Sequence, residues 1–144
     1  MSCAPITVPQ CRVSTDLVPP HERIGFWEAY NASELIGLRC TSYAGEGLEA
    51  TERNFDLGSL RVADVAGNEH VIERTPALLR RHPKNSVFVA MVVEGEVFFY
   101  QKGRCITAQP GDVLVYRTSD PYLCGFSRRT RQFLVDLPTA LLQD

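Results

Sequence analysis

A chain of 144 residues that is 44% hydrophobic and 22% charged has the makings of one globular domain, long enough to bury roughly two-thirds of its unfolded surface. Fifteen Lys and Arg against 17 Asp and Glu leave a net charge of −2, which argues against a surface that tracks a nucleic-acid backbone. No apolar run approaches the roughly 20 residues of a membrane helix, and Met1-Ser2-Cys3-Ala4-Pro5 lacks both the basic and the apolar part of a signal peptide, so no membrane partner and a cytoplasmic location are expected.

Residues 1–13, with Pro5 and Pro9, read as an irregular arm. Pro19-Pro20 then introduce a short amphipathic helix from His21 to Tyr30. Pro suits its first turn because the missing N–H would have no intrahelical partner there, and Ile24, Trp27 and Tyr30 form one apolar stripe. It is the only helix the pattern supports before the C-terminus.

From about residue 38 the pattern becomes short apolar runs separated by turn residues. Leu38–Ala44 ends at Gly45-Glu46-Gly47, and a polar stretch follows. Ser59–Ala66 alternates, Leu60, Val62 and Asp64 facing one way and Arg61, Ala63 and Val65 the other. Gly67-Asn68 turns into His70–Arg74. Ser86–Val93 is a continuous β-branched and aromatic run, as expected of a strand buried on both faces. Val97–Gln101, Cys105–Ala108, the turn Gln109-Pro110-Gly111-Asp112, Val113–Arg117, Tyr122–Ser127 and Gln132–Leu137 complete the series. In that turn Pro fixes φ and Gly accepts a positive one. About eight or nine short strands at this spacing predict an all-β sandwich or barrel. The basic runs Arg80-Arg81-His82-Pro83-Lys84 and Arg128-Arg129-Thr130-Arg131 read as solvated loop tips. Asp136 to Leu142 reads as the start of a helix, with an acidic cap, Pro138 in its first turn, and too little length to stand alone. The expectation is that the natural polypeptide continues beyond it.

The segment Gly95 to Arg104 followed by Ala108-Gln109-Pro110-Gly111-Asp112-Val113-Leu114-Val115-Tyr116 resembles the cupin core, a hairpin followed by a PGD turn and an apolar strand. Arg12 to Asp16 ahead of the Trp-containing helix, Asp56 to Ala63, Val71 to Pro76, Ser119 to Tyr122 and Leu137 to Leu142 are similar, in order, to the AraC-binding-like sensor domain of AraC/XylS-type transcription regulators. This resemblance implies a mainly β, cupin-like jelly roll (a double-stranded β-helix) with a short N-terminal helix and the start of a C-terminal one. It divides the chain into an arm at 1–13, an effector-binding barrel at 14–137 and a truncated helix at 138–144. It implies a small-molecule effector in the barrel, a homodimeric parent protein, and DNA binding only through a C-terminal pair of helix-turn-helix motifs that these residues do not contain.

Cupin enzymes hold a transition metal with an HxH pair, a downstream Glu and a further His after the PGD turn. Here His82 is followed by Pro83 and Lys84, and the later position is occupied by about Tyr122. Neither half supplies a ligand set, so no metal, no cofactor and no enzyme activity are expected. His21, His70 and His82 read as structural or solvated, and no GxSxG, HExxH or Gly-rich phosphate loop is present. Cys3, Cys11, Cys40, Cys105 and Cys124, odd in number and without a CxxC pair, read as free thiols.

For the pocket, the candidates are Trp27 on the helix and Phe88, Met91, Phe98, Tyr100, Tyr116 and Tyr122 on the strands. Such residues give an apolar site with a few polar handles, though each also suits an ordinary core. Arg61 and Arg74 sit in apolar strands, and a buried arginine there has to meet either a protein carboxylate or an anionic effector. The alternative to a sensor is a stand-alone small cupin enzyme, an isomerase or dioxygenase. A third reading is a barrel that has lost its ligand and serves only for dimerisation.

Overall fold

The computed structural model describes residues 7–143. Eleven strands are distributed over two antiparallel sheets: β1 (Gln10–Ser14), β2 (Arg39–Ser42), β3 (Ala50–Asp56), β4 (Arg61–Gly67), β5 (His70–Arg74), β6 (Ser86–Glu94), β7 (Val97–Gln101), β8 (Arg104–Ala108), β9 (Val113–Arg117), β10 (Tyr122–Phe126) and β11 (Thr130–Pro138). The larger sheet runs β1-β3-β4-β11-β6-β9 and the smaller β2-β5-β10-β7-β8. This is the all-β architecture expected from the turn spacing, in the jelly-roll form that the resemblance implies. Helix α1 (Arg23–Glu34) covers one end, and a short α2 (Pro76–Arg81) lies between β5 and β6. Among the described residues no helix is long and apolar enough to cross a membrane.

Alternation decides what enters the core, because successive strand residues point to opposite faces. Phe88, Ala90, Val92, Leu114, Tyr116 and Leu134 come from the larger sheet and Val97, Phe99, Tyr122, Cys124 and Phe126 from the smaller. Trp27 anchors α1 on a second cluster with Val13, Cys40, Leu48 and Ala50.

Several expectations are corrected. Residues 10–13, assigned to an irregular arm, belong to β1, which pairs with β3; residues 1–6 of that arm, with Cys3, lie outside the described residues. The polar stretch after Gly47 contains β3, whose Glu52 and Asn54 face inward and whose Arg53 and Phe55 face outward. The helix expected over His21–Tyr30 begins as a single 3₁₀ turn and runs on to Glu34. A second helix, α2, contains Arg80 and Arg81, with Thr75 capping it through its hydroxyl and Pro76 in its first turn. Strand β6 is fully buried on one face alone. Its outer residues Val87 and Val89 are half-buried while Met91 and Val93 are exposed, so the continuous apolar run reflects an apolar outer face and not a sandwiched strand. Register extends that face into a row across five of the six strands, Phe55–Val62–Val135–Val89–Val115. Finally, Asp136 is no helix cap. It is buried in β11 and paired with Lys84 at 2.7 Å, and only one 3₁₀ turn, Thr139–Leu142, follows.

Arg74, at the end of β5, is 1% exposed and meets neither a carboxylate nor the barrel interior. Its Nε donates to the Thr118 carbonyl at 2.9 Å, Nη1 to Gly37 at 2.9 Å and Nη2 to His82 at 2.7 Å. Three backbone oxygens from the α1–β2 loop, the end of α2 and the end of β9 thus share one planar cation. The junction is tight: a Cβ on Gly37 would stand 2.8 Å from the His82 Cβ, which makes glycine necessary there. Thr118 extends the knot, its Oγ1 accepting from the Ser86 N–H and donating to the Lys84 carbonyl, each at 2.9 Å.

Arg74→Met keeps the apolar stem but strands three buried carbonyls. It is expected to destabilise the fold by on the order of 3 kcal/mol or more, and Arg74→Lys to recover only part of that, as read from urea denaturation midpoints. A loss under about 1 kcal/mol for Arg74→Met would show that these carbonyls find other donors.

Candidate functional site

Between the two sheets, beneath α1, lies an internal cavity. The centres of water-sized spheres can occupy about 30 Å³ of it, enough for roughly two waters. Its apolar wall comes from Trp27 on α1, Phe88 on β6, Tyr116 on β9, and Tyr122 and Phe126 on β10, with Ile72, Val65 and Leu134 between them. The rings pack in contact: Tyr116 and Tyr122 centroids are 4.9 Å apart, Phe88 and Tyr116 5.7 Å, and His70 stacks on Phe126 at 4.5 Å. A few polar side chains interrupt this wall, among them Asn31, Glu52, His70, Thr130 and Gln132.

Glu52 is the charged member. It is 1% exposed, and its Oε2 accepts from Asn54 Nδ2 at 2.6 Å; among the described residues no donor reaches its other oxygen. Burial away from water disfavours the carboxylate and pushes its pKa up to about 7, an effect the Asn54 hydrogen bond only partly opposes. Asn54 also donates to the Tyr30 hydroxyl of α1 at 3.2 Å, while its own Oδ1 is buried without a partner. His70 is buried with Nδ1 2.6 Å from the Asn68 carbonyl oxygen. Since that oxygen can only accept, Nδ1 carries the proton and Nε2 is left as an acceptor in the neutral ring. Burial also holds the His70 pKa below its ordinary value. Burial raises the Tyr116 and Tyr122 pKa values well above the usual phenol, so both are neutral hydroxyls, and among the described residues neither has a protein hydrogen-bond partner.

Of the residues singled out from the sequence, Trp27, Phe88, Tyr116 and Tyr122 come together around this cavity. Five do not. Arg61 is exposed and its Nη1 reaches the Glu34 carbonyl at 3.4 Å; Arg74 is held by the three carbonyls described above. Met91, Phe98 and Tyr100 stand 41%, 37% and 50% exposed on the outer faces, because their strand neighbours Ala90, Val92, Val97 and Phe99 take the inward positions. The sequence reading missed Glu52 and Gln132 and set His70 aside as structural or solvated. The signal for Glu52 was its period-two spacing with Asn54 and Ala50 in a segment read only as a polar stretch.

Elsewhere the site offers little chemistry. Among the described residues no three His, Cys, Asp or Glu side chains group together to hold a metal ion. Cys40 and Cys124 are buried, and burial pushes each thiol up to about 12, so both remain protonated. On the outer face, Asp64 is clamped by Arg131 at 2.9 Å and Arg53 at 2.7 Å, and these hydrogen bonds hold its carboxyl below the usual carboxylate range.

Residues 27–144 match the family model described as the AraC-binding-like domain. A crystal structure of the AraC-like transcriptional activator CuxR superposes with a TM-score of 0.79 at 21% identity, covering 93% of this chain and 49% of that one. An uncharacterised protein from the nit 5′ region of Bacillus sp. (strain OxB-1) is 20% identical over 133 residues, 92% of this chain and 52% of its own length. The transcriptional activator NphR of Rhodococcus sp. is 26% identical over 86 residues, 60% of this chain and 26% of its own length. The chain therefore spans about half the length of CuxR and of the Bacillus protein, and less of NphR.

Because the Glu52 pKa is raised in the folded chain, its contribution to stability is fully present below the ordinary carboxylate value of 4.5 and is lost as pH rises toward 7. The wild-type chain should therefore lose on the order of 3 kcal/mol between pH 4.5 and 8 through this group, a loss that Glu52→Gln removes. Parallel pH profiles for the two proteins in urea denaturation would contradict the assignment.

Proposed function

The chain belongs to the AraC-binding-like domain family, and on that premise we propose that its barrel is the effector-sensing module of a bacterial AraC-type transcription regulator. One observation carries the reading: a cavity walled by aromatic rings is bordered by a carboxyl oxygen and two tyrosine hydroxyls that have no hydrogen-bond partner among the described residues. Polar handles in an apolar enclosure are how small-molecule sites are built, and a buried polar group without a partner costs free energy that a ligand can recover. No observation favours the enzyme alternative.

In this reading the remainder of the parent protein carries the helix-turn-helix pair that grips DNA, and the regulator works in the cytoplasm. The effector acts by binding one of two pre-existing arrangements more tightly than the other. Helix α1 is the element placed to sense it, since Trp27 and Asn31 form part of the cavity wall. A homodimeric parent belongs to the same proposal. The apolar row on the outer face of the larger sheet ends at exposed Val115, and the neighbouring charges Arg53, Asp64 and Arg131 are already paired with one another. The apolar row is what a second copy presenting the same face would cover.

Thermal-shift screening of small metabolites tests the sensor. A true effector at about a hundred times its Kd should raise the midpoint by several degrees, and Ile72→Phe, which fills the cavity, should abolish the shift. Hits that survive Ile72→Phe unchanged would place binding elsewhere. For the dimer, sedimentation should show association at micromolar concentration that Val115→Asp weakens at least tenfold; a monomeric wild-type chain would remove the outer face from the proposal.

A further inference from the structure

Resting on the cavity as the effector site, we propose that its ligand is a small organic cation, a primary ammonium whose charge is received by Glu52. The charge inventory points one way. Among the residues lining the cavity there is one carboxylate and no lysine or arginine. Buried Arg74 and half-buried Lys84 are already committed: Arg74 directs its donors to three carbonyls, and Lys84 pairs with Asp136. Glu52 thus sits 1% exposed with one hydrogen bond from a neutral amide and no counter-charge.

The rest of the lining agrees with a cation. Neutral His70 has its Nδ1 proton committed to a carbonyl and offers only an acceptor. The rings of Trp27 and Tyr116 carry the negative quadrupole that attracts an ammonium. An anionic effector would meet none of the donors it needs except neutral hydroxyls and amides, and would stand beside a like charge. A neutral alcohol could satisfy hydrogen bonds but would leave the buried carboxylate without a counter-charge. Room for roughly two waters also restricts the enclosed part of the ligand to a compact head group.

The ammonium preference should follow the ionisation of Glu52. The other titratable groups facing it are His70 from β5, Tyr30 from α1, and Tyr116 and Tyr122 from β9 and β10; burial keeps the ring and the phenols neutral between pH 7 and 8. Glu34, also on α1, carries a further carboxylate that reinforces the upward shift at Glu52.

The test uses this chain and three probes of nearly equal size: propylammonium chloride, 1-propanol and sodium propionate, at matched ionic strength up to about 50 mM, a range suited to ligands of so few atoms. Trp27, the single tryptophan of the sequence, lines the cavity and reports occupancy by fluorescence, with thermal midpoints as a second readout. At pH 8 propylammonium is expected to bind at least tenfold more tightly than propanol, with propionate silent. Glu52→Gln should reduce propylammonium to the propanol level and leave propanol unchanged, while Glu52→Asp retains the preference. In the unmodified chain the preference should fall roughly tenfold between pH 8 and pH 6, following a carboxyl that titrates near 7. This arm stands even if the variants do not fold. Propanol or propionate binding as well as propylammonium would overturn the cation and leave the sensor cavity intact. A preference that survives Glu52→Gln or ignores pH would also overturn it, and no response to any probe would remove both readings.

Discussion

The Arg74 guanidinium is the point on which the geometry of the barrel's closed end rests. A buried cation is tolerable only when its donors are met, and here Thr118, Gly37 and His82 supply carbonyl oxygens within 2.9 Å of its nitrogens. Those oxygens belong to segments of chain that share no ladder with one another: the exit from α1, the exit from α2 and the end of β9. Without the arginine, each carbonyl would be a buried acceptor with no donor, and the loops would have to open to find water. The tight approach of Gly37 to His82 and the Thr118 hydroxyl bridging Ser86 and Lys84 are parts of the same junction.

Committing Arg74 to the backbone leaves it unable to balance the acidic groups of the interior. Along the inner faces the acidic groups are Glu52 and Asp136, and only Asp136 has a cation, Lys84. Glu52 is left in an aromatic enclosure with a raised pKa and a free oxygen, an arrangement that costs stability near neutral pH. A leucine at that position would pack against Trp27 and Val65 without the penalty. Groups that weaken a fold and yet sit where a ligand could satisfy them are what a binding site looks like before its ligand arrives.

Much of this architecture was readable in the residues, and the failures have definite physical origins. The turns between β6 and β9 were marked by glycines, with Gly95, Gly103 and Gly111 all at positive φ, and by β-branched runs between them. Strand β3 was not, because Thr51 to Asp56 carries polar residues on both faces and β-propensity cannot detect a strand whose inward positions are Glu52 and Asn54. The pocket suffered from parity. Aromatic residues in β7 were counted as lining without fixing which of Val97, Phe98, Phe99 and Tyr100 point inward, and one residue of register separates core from solvent. For Arg74 the alternatives considered were a carboxylate or an anion, and a backbone cradle drawn from three distant loops leaves no trace in local sequence.

Helix α1 connects the cavity to the rest of the surface. The strands around the cavity are locked in antiparallel ladders, whereas α1 is held by a small set of polar ties that can be named: Arg23 to the Val18 and Leu48 carbonyls, the Cys40 N–H to Glu28, Asn54 to Tyr30, and Arg61 to the Glu34 carbonyl. Its buried anchors, Trp27 and Asn31, are also cavity wall, and the Asn31 carbonyl accepts from Leu35 and Ile36 where the helix ends. Filling the cavity therefore acts first on the side chains that fix where α1 sits. The loop leaving α1 contains Gly37, whose carbonyl is one of the three held by Arg74, so a shift of the helix toward or away from the barrel meets a fixed point within three residues of Glu34.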